Sequence, residues 1–114
     1  MAAHRFLREA AETFIAAANA FDIEAALHLF TFEAVIDDSS TGHRFEGHAG
    51  IRYYLERFFI GYRTVTRLLS IKRLDERRAL VRVDFTGDFG HEIGLLEFSL
   101  DTNGLVARID ADLE

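Results

Sequence analysis

The residues best equipped for acid–base chemistry lie between Phe30 and Phe58, a stretch reading FTFEAVIDDSSTGHRFEGHAGIRYYLERF. A short apolar strand, Ala34 to Ile36, runs into two adjacent carboxylates, Asp37 and Asp38. A turn-rich stretch, Ser39 to Gly42, follows, and His43 to Glu46 has the pattern of a short return strand. The next segment predicts a helix from about Ala49 to Ile60, with Ile51, Tyr54, Leu55 and Phe58 on one face. A carboxylate at the end of a buried strand, beside an apolar helix face, describes an acid in an apolar pocket. Such surroundings disfavour the charged form and can make a carboxyl group a proton shuttle near neutral pH. Strand side chains alternate, so Asp38 is expected in the pocket and Asp37 in solvent, an assignment that a bulge would exchange. The competing reading makes Asp38 a cap of the Ser39–Gly42 turn, because Asp accepts readily from nearby backbone N–H groups. Tyr54 lies on the inward stripe, where its hydroxyl could reach Asp38 or a ligand, or bond backbone or water as a core tyrosine does. His43 and His48 flank Phe45 and Gly47. Either could be a second acid/base group, and His43 joins Asp38 and Tyr54 in the candidate catalytic set.

The elements that must position these groups follow from periodicity. A first helix is expected from about residue 4 to 19, with Phe6, Leu7, Ala10, Ala11, Phe14, Ile15 and Ala18 as its stripe. Asp22 is a good N-cap for a second helix that turns Ile23, Ala26, Leu27 and Phe30 inward. After Gly61 the period drops to about two. Strands are expected at Thr64–Leu74, Ala79–Thr86, His91–Leu100 and Leu105–Leu113, with Asn103-Gly104 in the last hairpin. Val81, Val83 and Phe85 alternate with Arg82 and Asp84, which should face outward. Short loops imply antiparallel neighbours. Three helices followed by a four-stranded meander make an α+β domain. A sheet this long curls, helices cover its concave face, and a pocket opens where they fail to fill it.

The 114 residues suffice for one domain, residues 1–114, with one core. Nearly half are hydrophobic, including eleven phenylalanines, and there is no cysteine for a disulfide, thiolate metal site or thiol nucleophile. The N-terminal MAAHRFLREAAETF reads as an amphipathic helix rather than a signal peptide, and no apolar run approaches the ~20 residues that span a bilayer. No membrane association is expected, and the expected location is cytoplasmic. A net charge of −6 argues against nucleic acid as a partner. Nine of the thirteen basic residues fall between Arg52 and Arg82, while eight acids and only Arg108 follow from Asp84 onward. Cross-strand ion pairs account for that asymmetry more simply than a patch for an anionic ligand. The five histidines lack helical i, i+4 spacing, there is no HExxH motif, and GxGxxG, Walker and G-x-S-x-G signatures are missing. No metal or organic cofactor is expected.

Three segments, AANAFDIEAALHLFTFEAVIDD, FEGHAGIRYYLERFF and DTNGLVARIDADLE, resemble the SnoaL-like and ketosteroid-isomerase-like branch of the nuclear-transport-factor-2-like superfamily. They match its helix pair, its G-x-x-x-I-R helix start and its closing hairpin. The resemblance implies a cone-shaped, curved antiparallel sheet wrapped around three N-terminal helices and enclosing an apolar pocket, a cystatin-like α+β roll. It implies homodimers as well, and Leu69, Ile71 or Ile93 on an outer sheet face among Arg82, Asp84 and Glu97 would give them a surface. It places Asp38 at the isomerase general base. Phe14 and Leu96 fall where those isomerases carry their two oxyanion donors, a tyrosine and a protonated aspartic acid, and Leu55 where some carry a supporting tyrosine. Removing one such donor typically costs ~3 kcal/mol of transition-state stabilisation, so steroid isomerisation itself is not expected. The expected pocket lining is Phe14, Ile36, Ile51, Phe58, Val83, Phe85, Leu96, Phe98, Ile109 and Leu113. The expected function is that of an isomerase, cyclase or lyase acting on a hydrophobic, carbonyl-bearing small molecule. The alternatives are a non-catalytic domain binding such a molecule and a dimeric protein-interaction module. The Asp-Arg-Asp arrangement of epoxide hydrolases in the superfamily is not expected from the outward-facing Arg82 and Asp84.

Overall fold

A computed structural model describes residues 2–114 and the side chains from Phe6 onward; His4, off the expected apolar stripe of the first helix, lies outside those side chains. Helix α1 (Ala2–Asn19) buries Leu7, Ala10, Ala11, Phe14, Ile15 and Ala18 as its spacing requires, while Phe6 at its start is 47% exposed. Helix α2 (Ile23–Leu27) begins where the Asp22 carboxylate accepts the Ala25 N–H at 3.1 Å, which satisfies one of the donors a helix start leaves free. Strand β1 (Phe30–Asp38) and strand β2 (His43–Glu46) form a hairpin that leads directly into helix α3 (Gly47–Leu55). Strands β3 (Val65–Arg73), β4 (Arg78–Gly87), β5 (Gly90–Leu100) and β6 (Val106–Leu113) make the meander.

All six strands join one sheet in the order β2-β1-β6-β5-β4-β3. Four of its strand pairs are antiparallel, as the short loops imply, but β1 and β6 run parallel, with Ile36 opposite Ile109 and Asp38 opposite Ala111. The crossover through α3 carries the chain from β2 at one edge to β3 at the other. The meander then folds back until its third reversal lays β6 beside β1 in the same direction.

Alternation puts Ala79, Val81 and Val83 of β4, Leu96 and Phe98 of β5 and Ile109 of β6 against the helices, all within 3% of full burial. Phe14 is the hub of this core. Its ring meets Phe30, Phe59 and Phe98 edge-on at centroid distances of 6.0, 6.2 and 5.7 Å, the geometry that aligns positive ring edges with negative faces.

Two local departures from the expected pattern matter. The helix expected to run on to Ile60 is α-helical only to Leu55, and Glu56–Ile60 form a π turn in which the Gly61 N–H reaches the Glu56 carbonyl at 2.8 Å. An irregularity in the β3–β4 register between Leu68 and Ser70 changes the parity of β3. Ile71 therefore stands opposite inward-facing Val81 and packs on the core instead of the outer face, whereas Ile93 stands opposite outward-facing Asp84.

Candidate active site

Asp38 ends β1 in phase with Ala34 and Ile36, so the alternation that buries those residues also turns its carboxylate inward, leaving it 7% exposed. One oxygen accepts from the Ser40 backbone N–H at 2.9 Å and the Ser40 hydroxyl at 2.6 Å, and the other accepts from the Tyr54 hydroxyl at 2.6 Å. The Asp38 carbonyl accepts from the Thr41 N–H and hydroxyl and from the Gly42 N–H. Turn cap and cavity carboxylate, the two readings of this residue, therefore coexist: Ser40 closes the turn on one oxygen and Tyr54 approaches the other from α3.

Tyr54 is itself buried. Burial above all, then the Asp38 charge and the hydrogen bond to it, push the phenol well above its ordinary value. The hydroxyl thus keeps its proton and stays a donor to Asp38.

These two residues lie in a cleft of about 320 Å³. Ser40, Thr41, Thr64 and Glu92 supply its other polar groups, and Phe58, Phe59, Tyr62, Phe85, Phe89 and Leu113 its apolar walls. The π turn brings the consecutive residues Phe58 and Phe59 to the same cavity, as such widened turns often do at functional sites. Thr64 anchors the turn by donating its hydroxyl to the Phe58 carbonyl at 2.8 Å. Phe85 lies across Gly94, where a Cβ would sit 2.2 Å from its ring. The absence of a side chain at Gly94 therefore makes room for this wall. Gly87 does the same for the β4–β5 turn, since a Cβ there would come within 2.8 Å of the Tyr62 carbonyl and 2.9 Å of the Phe89 ring. The Asp88 N–H bonds the Tyr62 carbonyl at 2.8 Å, and the Tyr62 and Phe89 rings meet edge-on at 5.9 Å.

Of the residues expected at the site, Asp38, Tyr54, Phe58, Phe85 and Leu113 line this cleft. Phe14, Ile36, Ile51, Val83, Leu96, Phe98 and Ile109 do not; they are buried in the solid core. The ring cluster around Phe14 fills the centre, so the cavity is displaced to the end of the sheet where β1 and β6 finish and β4 turns into β5. His43 is exposed on β2, its N–H bonded to the Thr41 hydroxyl at 3.1 Å, and is not part of the lining. His48 is also elsewhere, with Nε2 3.2 Å from the Phe30 carbonyl and its ring stacked on Phe32. The residues that sequence reasoning missed are Ser40, Thr41, Phe59, Tyr62, Thr64, Phe89 and Glu92. The signal for Ser40 and Thr41 was present, because a strand-end Asp followed by Ser-Ser-Thr favours side-chain-capped turns. Arg82 and Asp84 face outward as expected. Arg82 forms a two-pronged pair with Glu114 at 2.8 and 2.6 Å, and Asp84 meets Arg67 at 3.0 Å and His91 at 2.7 Å.

Among the described residues no helix is long and apolar enough to cross a membrane, and no group of three or more His, Asp or Glu could hold a metal ion. The sequence finds no significant match among curated proteins. Solved structures share the fold. A candidate ketosteroid isomerase from Kribbella flavida superposes with a TM-score of 0.84 at 17% identity, over 96% of this chain and 78% of that one. SalBIII, an epoxide hydrolase/cyclase-like enzyme of pyran ring formation in the polyether salinomycin, superposes with 0.81 at 17% identity, over 94% and 89%. RV0760c of Mycobacterium tuberculosis, in complex with estradiol-17β-hemisuccinate, superposes with 0.74 at 16% identity, over 90% and 88%. At these identities the likeness establishes the shared fold, a curved sheet on helices. The family model described as SnoaL-like domain matches residues 11–109, nearly the whole of the chain, which therefore belongs to the SnoaL-like domain family.

Proposed function

We propose that this protein binds a hydrophobic, carbonyl-bearing small molecule in the Asp38 cleft and that Asp38 moves a proton at a carbon beside the carbonyl, as an isomerase, cyclase or lyase requires. The observation that carries this reading is a nearly buried carboxylate with both oxygens fixed, facing a cleft walled mainly by aromatic rings. A carboxylate offers about four acceptor directions, and three are occupied by Ser40 and Tyr54. One remains for a substrate proton. The three donors hold the carboxylate in place, so little orientation has to be gained at the moment of transfer. The Tyr62 hydroxyl has no hydrogen bond among the described residues and lines the same cleft, which makes it the donor available to the substrate carbonyl. The steroid body bound by one structural neighbour and the cyclase-like chemistry of another support the hydrophobic part of this substrate class.

The test is α-hydrogen exchange of 2-tetralone in D₂O, followed by NMR. Wild-type protein should accelerate exchange over buffer, and Asp38→Asn should not. Saturable binding without exchange would favour the second reading, a non-catalytic binding domain. Phe14 and Leu96, at the positions expected for oxyanion donors, favour it too: both are apolar and neither touches the cleft. We further propose a homodimer through the outer sheet face, where Leu80, Ile93 and Leu95 are only partly covered among charged neighbours. Sedimentation that found only the 13.0 kDa species at micromolar concentration would exclude it.

A further inference from the structure

Charge in the cleft has one sign. Asp38 and Glu92 line it, and among the described residues no lysine, arginine or histidine does. Among the described residues Asp38 is met only by uncharged donors, two hydroxyls and a backbone N–H. Glu92 stands exposed at the mouth with no hydrogen bond or ion pair among the described residues. The basic side chains nearest it in sequence and on the facing strand are engaged elsewhere: His91 by Asp84 at 2.7 Å and Arg82 by Glu114 at 2.6 Å. Arg63, beside Tyr62 of the lining, is held by Asp88 at 3.4 Å. The walls add to the same field, because aromatic faces are the negative part of the ring quadrupole and attract cations. The Arg57 guanidinium already lies over the Phe58 ring at 5.6 Å, without being part of the cleft lining. A second open groove, bordered by His91, Ile93 and Glu114, shares Glu92 and Leu113 with the cleft. A ligand with its body among the rings can therefore carry a polar end past Glu92.

We infer that the ligand of this cleft is cationic: an apolar body bearing a protonated amine or quaternary ammonium, with the positive group against Glu92 and the reacting carbon toward Asp38. The inference rests on the proposed reading of the cleft as the ligand site and adds the charge of the ligand. It makes Glu92 a specificity-determining residue. An anionic molecule of the same shape would bring a third negative charge into a space that holds two and, among the described residues, no cation, and is excluded by repulsion.

Three probes of one shape separate the possibilities: 4-phenylbutan-1-amine, 4-phenylbutan-1-ol and 4-phenylbutanoate, titrated calorimetrically at physiological ionic strength. Amide shifts of Thr41, Tyr62 and Phe89 locate the binding. The amine should bind about tenfold tighter than the alcohol, through two carboxylates and the ring faces, and the carboxylate more weakly than either. Glu92→Gln removes an exposed, unpartnered charge and should leave the fold intact. It should weaken the amine about three- to fivefold, the upper part of the range for a solvated ion pair, and leave the alcohol unchanged. An alcohol that binds in the cleft as tightly as the amine, or an amine indifferent to Glu92→Gln, overturns the cationic ligand while leaving the cleft as a binding site. Failure of all three probes to shift cleft amides removes the cleft reading and this inference together.

Discussion

Asp37 and Asp38 are separated by one peptide bond and meet opposite fates. Asp37 faces out and accepts from Arg108 at 2.9 Å, while the same guanidinium grips both oxygens of Asp110 at 3.0 Å. Asp38 faces in and has only hydroxyls and an amide for company. The contrast extends over both faces of the sheet. Outside, basic residues of β3 and β4 find acids of β4, β5 and the C-terminal end: Arg67 with Asp84, Arg78 with Glu97, and Arg82 with Glu114. That pairing accounts for much of the charge asymmetry along the sequence without any anionic ligand. Inside, dipoles hold a charge and no cation among the described residues cancels it. A carboxylate cancelled by a neighbouring cation has little left to offer a ligand, whereas one held by dipoles keeps its field and a free lone pair. Adjacent residues thus end in opposite electrostatic settings, one paired and one left uncancelled, and strand parity decides which is which.

The sharpest way to break this comparison is to remove each charge in turn. Asp38→Asn keeps the size and an oxygen for Ser40 but cannot accept a substrate proton. Exchange of 2-tetralone should fall by about 10²–10⁴, the usual contribution of general acid–base catalysis. Asp37→Asn should leave the rate within about twofold, as expected for a surface change away from the cleft. Equal losses in the two variants, measured by NMR in D₂O, would show that the outer face takes part in the chemistry.

A smaller effect separates the faces by pH. Tyr54→Phe deletes the donor to one Asp38 oxygen and should cost about 1–3 kcal/mol in urea denaturation, the range for leaving a buried polar group unsatisfied. Because the folded-state pKa of Tyr54 is raised, its contribution is fully present below the unfolded value of about 10 and is lost as pH rises toward and through the folded value. Wild-type stability should therefore decline on the alkaline side, and Tyr54→Phe should flatten that decline. The outer face behaves in the opposite sense. Hydrogen bonding to Arg82 holds the Glu114 carboxyl below its ordinary range, and hydrogen bonding to Arg78 does the same for Asp75. Their contributions are present above the unfolded carboxylate values and are lost as pH falls through the folded ones. Urea midpoints that fell with the same alkaline slope in wild type and Tyr54→Phe would remove the inner-face half of this scheme.

The legible part of the site is the part written in periodicity. Period two placed Asp38 inward after Ile36, and period 3.6 placed Tyr54 on the inward stripe of α3; their hydrogen bond follows from both being right. The Asp22 cap and the His43–Glu46 return strand were equally readable. What the sequence hid depends on contacts between distant segments. No repeat pattern encodes the π turn that brings Phe59 into the lining, because its i→i+5 bonds need Thr64 and Gly61 as anchors. Phe89 sits in a turn, where an aromatic residue has no periodic partner, and it is set against Tyr62 by the close approach that Gly87 allows. The position of the cavity along the sheet was misread because it depends on how completely the rings of Phe14, Phe30, Phe59 and Phe98 fill the centre. Alternation says which face a residue takes and is silent about whether the space on that face is full. The irregular β3–β4 register moved Ile71 inward for a related reason, since one added residue reverses every face that follows.

The smallest expected effect tests the outer face by itself. In Asp37→Asn, Arg108 loses one contact but keeps its grip on Asp110, whose two oxygens it reaches through Nε at 3.0 Å. The Asp37 and Arg108 side chains are 35% and 38% exposed, so solvent already weakens the attraction between them. For the dissociated chain, at protein concentrations below association, the cost should be about 0–1 kcal/mol, the measured range for such pairs. Salt should erase what there is, because the screening length shrinks to about 3 Å in 1 M salt, the length of the contact itself. The Asp38–Tyr54 bond is sheltered from ions, so the loss in Tyr54→Phe should be the same at low and high salt. Urea midpoints of both variants at about 10 mM and 1 M NaCl, the two ends of that screening range, make the comparison direct. A penalty for Asp37→Asn that survived 1 M salt would mean that ions do not reach this face. It would place Asp37 under a second copy of the chain, where an ion pair shielded from solvent is no longer a surface pair and its loss should also weaken association.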